Sequence, residues 1–121
     1  MANMKHALGQ VEGASALFVA GKCVPTSSTV ATLSQLSPPL AMQDDMTATL
    51  ASSVFTIVIT NFKGPLGSVV PMVSALHATA GVFATVVSTA YSGDTLTLVV
   101  NTFSAEATPA DETFFFTIWA F

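Results

Sequence analysis

From Met46 onward, apolar residues recur at every second position. Met46–Ala51 reads MTATLA, and Ser53–Asn61 (SVFTIVITN) places Phe55, Ile57 and Ile59 on one face. Successive strand side chains point to opposite sides of a sheet, so a period of two predicts strands. Lys63–Gly67 reads as a turn, and Ser68–His77 as a further strand in which Pro71 marks an edge or a bulge. Thr79-Ala80-Gly81 breaks it. Val82–Tyr91 (VFATVVSTAY) and Thr95–Phe103 (TLTLVVNTF) flank a short Ser92-Gly93-Asp94 turn, which predicts a hairpin. Leu96, Leu98 and Val100 form its inner face; Thr95, Thr97 and Asn101 lie opposite. Ser104–Glu112, with Pro109, is a loop before a last strand.

Upstream the pattern is weaker. Residues 1–13, with Gly9 and Gly13, read as an extended arm in which Ala2–Leu8 forms a helical turn. Ala14–Ala20 predicts a first strand ended by Gly21. Lys22–Ser27 carries Pro25 and reads as a loop, Ser28–Leu33 as a strand, and Ser34–Asp45, with Pro38-Pro39, as a connector. About seven or eight short strands separated by regular turns predict an all-β domain over residues 14–121. The expected architecture is an antiparallel β-sandwich or jelly-roll-like fold behind an N-terminal arm.

The last strand departs from simple alternation. In Thr113–Phe121 (TFFFTIWAF), one face carries Phe114, Phe116, Ile118 and Ala120, and the other Phe115, Thr117, Trp119 and Phe121. A strand with one wet face should alternate apolar and polar residues. Apolar residues on both faces predict either a strand buried in the middle of its own domain or a second face covered by another copy or another protein; in a chain this small the second is expected. Phe114, Phe115, Phe116, Trp119 and Phe121 are therefore the expected oligomer interface. Asp111-Glu112 just ahead of the strand would act as charged gatekeepers against aggregation.

Composition sharpens this picture. Of 121 residues, 51% are hydrophobic and 8% charged, against roughly 25% charged in an average soluble domain. That deficit leaves little charge to coat a solitary monomer, so part of the surface is expected to lie in contacts. The net charge is −4 and the only basic side chains besides histidine are Lys5, Lys22 and Lys63. Phosphate neutralisation needs Lys and Arg, so no nucleic-acid partner is expected. Gly64–Ser92 has no charged residue but is broken by Pro65, Gly67, Pro71 and Gly81, which argues against a membrane span. The residues after Met1 lack the long apolar core of a secretory signal.

Candidate chemistry is sparse. The single Cys23 reads as a small buried apolar residue. His6 and His77 have no spacing that suggests a pair, and His77 reads as structural. Asp44-Asp45 and Asp111-Glu112 are the only adjacent acidic pairs, too few for a cation site, and read as solvated loop carboxylates. No nucleophile elbow occurs, and Gly64-Pro65-Leu66-Gly67 lacks the following Lys of a phosphate loop. No catalytic, cofactor-binding or metal residue, and no cofactor, is expected.

The Thr/Val-rich hairpin Val82–Phe103, the loop Ser104–Glu112 (SAEATPADE) and the aromatic ending ETFFFTIWAF together resemble the small β-sandwich modules of tailed-bacteriophage virion proteins. The resemblance spans about Val54–Phe121. It implies a trimer, no cofactor, and a structural or receptor-binding task, with no catalytic residue to carry over. The expected role is a capsid decoration or cement protein, made in the host cytoplasm and bound to the major capsid protein on the virion surface. The alternative is a trimeric receptor-binding tip of a tail fibre or spike. A start at Met1 without a fibrous repeat favours the former.

Overall fold

The computed structural model describes residues 17–37, 46–60, 68–76, 81–92, 94–104 and 106–120. Eight strands follow in chain order: β1 (Leu17–Pro25), β2 (Ala31–Ser37), β3 (Met46–Ala51), β4 (Val54–Ile59), β5 (Val69–Ala75), β6 (Phe83–Ser92), β7 (Thr95–Phe103) and β8 (Phe114–Ala120). They pair antiparallel into sheet A, in the order β2-β1-β8-β5, and sheet B, in the order β3-β4-β7-β6. The two sheets pack into a β-sandwich, as the alternation predicts. The order β3-β4-β7-β6 opposite β5-β8 is that of an immunoglobulin-type sandwich, with β1 in the place beside β8 that a final strand would take. Strand order fixes architecture and not activity. The expected arm (residues 1–13), the helical turn and most of the connector lie outside the described residues.

The core is built by alternation. Phe55, Ile57 and Ile59 of β4 and Leu96, Leu98 and Val100 of β7 turn inward and are fully buried. From sheet A they meet Val19 and Cys23 of β1 and Phe114, Phe116, Ile118 and Ala120 of β8. The Phe55 and Phe114 rings touch edge-to-face, 5.0 Å between centroids, and so tie β4 of sheet B to β8 of sheet A.

Gly21 does not end β1, as the sequence suggests; the strand runs through it to Pro25. Gly21 faces inward and pairs with Phe116 on β8. A Cβ there would stand 2.7 Å from a Leu36 methyl and 2.8 Å from the tip of the Phe116 ring. The ring thus occupies the space a side chain would fill, and the ladder to β8 holds the glycine backbone in the strand, opposite the bulge in β2. Consequently Lys22–Pro25 is strand and not loop. The turn falls at Thr26–Val30, where Ser27 Oγ accepts the Val30 amide (3.1 Å) and the Val30 carbonyl accepts the Thr26 amide (2.9 Å). Serine side chains that favour turns in this way move the start of β2 from Ser28 to Ala31. β2 then extends past Leu33 to Ser37, through a bulge at which Gln35 has φ 50°.

Between β3 and β4, Ser52 and Ser53 have φ 50° and 64°, and Ala51 pairs with Val54. That is a two-residue hairpin of the kind usually made by Asn-Gly. Here it is tied down from outside. Ser53 Oγ donates to Asp111 Oδ1 (2.8 Å), and the Ser53 carbonyl accepts the Thr102 amide (3.2 Å). Asp111 is therefore a bonded anchor as well as a loop carboxylate. Thr102 is fully buried; its hydroxyl donates to the Ala110 carbonyl and accepts the Glu112 amide. These bonds fix the crossing from β7 to β8, and with it the point at which the aromatic strand enters sheet A.

Candidate docking face

β8 lies between β1 and β5, so its outward residues sit in the middle of a three-strand surface. Register places them in rows. Phe18, Trp119 and Val70 form one row, Ala20, Thr117 and Met72 the next, and Lys22, Phe115 and Ser74 the third. Met72 is 53% exposed, Val70 43% and Phe115 38%. Phe18 and Trp119 are half-buried against each other, ring centroids 4.6 Å apart. Lys22 is the only charged side chain in these rows, and its Nζ stands 6.0 Å from the centre of the Phe115 ring. That is the outer limit of a cation–π contact, and it lays the lysine stem across the apolar surface.

A shallow hollow of about 130 Å³ opens on this face, lined by Met72, Ser74, Phe115 and Thr117. The short Ser74 and Thr117 side chains lie diagonally between Met72 and Phe115 and leave the gap. The outer face of sheet B differs. Its rows, such as Thr49, Thr56, Val99 and Ser88, are threonine, serine and valine, with the stacked Phe83–Phe103 pair at one end. Hydroxyl-rich rows favour water more than the Phe/Trp/Met rows of sheet A do, although Phe83 and Val87 of β6 are themselves 40% and 57% exposed.

The described sheet edges are poor templates for another strand. Leu76 donates its amide to Thr113 across the β5–β8 ladder (2.8 Å). The amides of alternate β5 residues from Leu76 back to Val70 thus point to β8, and Pro71 removes a donor from the open side. β6 carries a bulge between Val86 and Ser88, β2 the bulge at Gln35, and β3 is capped by a bridge from Val30 to Thr49. Proline, bulges and covering segments all blunt edges. Of the exposed large apolar side chains on the two sheets, Val70, Met72 and Phe115 share the sheet A face, against Phe83 and Val87 on β6 of sheet B.

Of the residues expected at a seam, Phe115 and Trp119 lie on this face. Phe114 and Phe116 are 0% and 1% exposed within a single copy. Their side chains are committed to the molecule's own core and offer no surface to a partner. Phe121 lies outside the described residues. Phe18, Lys22, Val70 and Met72 escaped the sequence reading, although Val69-Val70-Pro71-Met72-Val73 shows the same two-faced apolar signal as the last strand.

The described residues hold no cluster of three or more His, Cys, Asp or Glu side chains. His6, His77 and Asp44-Asp45 lie outside them. A larger groove of about 370 Å³ between β2 and β3 is lined by Ala31, Leu33, Leu36 and Met46 among others, with no ionisable group in its lining. No helix among the described residues is long and apolar enough to cross a membrane. No protein-family model matches the chain, and no curated protein or solved structure is significantly similar to it.

Cys23 is buried beneath this face, on the inner side of β1, and burial pushes its thiol up to about 12. The thiol is thus held neutral. Because the folded value lies above the unfolded one, Cys23 favours folding fully below pH about 9, and that contribution is lost as pH rises through about 12. Urea unfolding of wild type and Cys23→Ala should therefore show a stability difference that is constant to pH 8 and shrinks between pH 9 and 12. A difference independent of pH would show that the thiol is not desolvated.

Proposed function

We propose that the chain is a structural, non-catalytic protein that works by docking the sheet A face. The single observation behind this is an exposed Phe/Trp/Met surface with one charge, on a sandwich whose described edges are blunted. The largest apolar patch on a soluble domain, typically about 300–600 Å², is often its functional surface. In this reading the protein associates as a trimer and decorates the outside of a phage head. Contacts with the major capsid protein that exist only in the assembled shell would stabilise it by mass action. The capsid setting rests on the resemblance of the β6–β7 hairpin, the following loop and the aromatic β8 to small virion sandwiches. The test is the composition of purified particles. The decoration role predicts a copy number comparable with that of the major capsid protein, and particles lacking the chain should break at lower temperature. A handful of copies confined to the tail would instead assign it to a receptor-binding knob.

A further inference from the structure

The size of the sheet A face limits what can cover it. Three strands of about seven residues, with strands about 4.8 Å apart and residues rising about 3.3 Å each, span roughly 14 by 23 Å. A stable interface takes about 800 Å² from each partner, more than twice that rectangle. Two such faces pressed flat fall short, and a flat partner would bridge the hollow over Ser74 and Thr117 without entering it.

We infer that the cover is the segment preceding β1, residues 1–16, donated by a neighbouring copy; this rests on the self-association proposed above. Met1, Met4, Leu8 and Val11 recur at helical spacing, three and four apart, and polar residues such as Lys5, Gln10 and Glu12 take positions between them. Such a stripe carries long, adaptable side chains of the kind that fill irregular gaps. With residues 1–11 as a helix about 16 Å long, the five residues before β1 add about 17 Å when extended, enough to pass the rim and lie along the face of a neighbour. The segment also leaves from the right place. Leu17 pairs with Ala120, at the rim beside the Phe18–Trp119 pair. Glu12, the only acidic residue of the segment, complements Lys22, the only charge in the rows of the face. An arm laid on a neighbour adds the area that flat faces lack, whereas an arm laid on its own face adds none between copies. Arm-onto-face contacts are heterologous: repeated under a rotation that closes, they make a ring such as a trimer, and otherwise an open filament.

The test uses the full chain carrying Leu8→Cys and Met72→Cys, joined by a short bismaleimide; buried Cys23 stays unmodified. Interchain products up to the trimer on a denaturing gel are expected. A wild-type oligomer in which this pair links only within one chain, or not at all, overturns the arm exchange and leaves the self-association standing. A wild type that is monomeric at every concentration overturns both. A second variant, Val11→Glu, should raise the dissociation constant about tenfold or more with the melting of the sandwich unchanged. An unaltered constant would also overturn the exchange.

Discussion

Phe114→Ala should lower the unfolding free energy by about 3–5 kcal/mol, as truncating a fully buried aromatic does. The loss is large at this site because Phe114 serves two contacts at once. Its ring meets Phe55 edge-to-face at 5.0 Å across the sandwich, and it lies 6.4 Å from Phe116 along its own strand. The strands around it are paired on both sides, so the cavity cannot close by a backbone shift without breaking a ladder. Small domains hold only about 5–15 kcal/mol in all, so the variant should sit near the edge of folding. Chemical denaturation with Trp119 fluorescence measures it. A loss under 1 kcal/mol would mean that the two sheets are not joined through this pair.

Changing Met72 to Glu together with Phe115 to Ser should have the opposite signature. Both side chains stand on the outer side of sheet A, so the sandwich core is untouched and the melting of an isolated copy should change little. Burial of each apolar side chain in a contact is worth about 1.5–3 kcal/mol, and the new carboxylate would have to be desolvated. Association should therefore weaken by roughly a hundredfold or more. The comparison with Phe114→Ala separates the two roles of one strand. Inward residues of β8 hold the fold, and the proposed docking role falls to outward residues of β8 and its neighbours.

The inward half of that division was legible from the sequence. Phe55, Ile57 and Ile59, and Leu96, Leu98 and Val100, declare their face by alternation with mostly smaller or polar neighbours, and all six are buried. The outward half was legible only for β8 itself. Membership of Phe18, Val70 and Met72 in the same surface depends on β1 and β5 flanking β8, a pairing between segments far apart in the chain. Local pattern carries no record of which strands become neighbours. Phe114 and Phe116 read as seam residues from sequence because a two-faced strand does not say which of its faces is the core. The boundaries of β1 and β2 depart from the local pattern for a different reason. Gly21 and Pro25 are punctuation in isolation, but pairing with Phe116 of β8 and with Ala31 of β2, respectively, holds them in a strand. The Ser52–Ser53 turn lacks the Asn-Gly signature; its left-handed backbone is secured by Asp111 and Thr102 from a distant loop.

Sedimentation equilibrium of the unmodified chain, run from low to high micromolar concentration, tests the docking face most directly. An oligomer that forms with increasing concentration, a trimer at its end point, and that is lost in the Met72→Glu, Phe115→Ser chain, is the predicted result. A well-folded monomer across the whole range, with its Phe/Trp/Met surface simply bare to water, would contradict it.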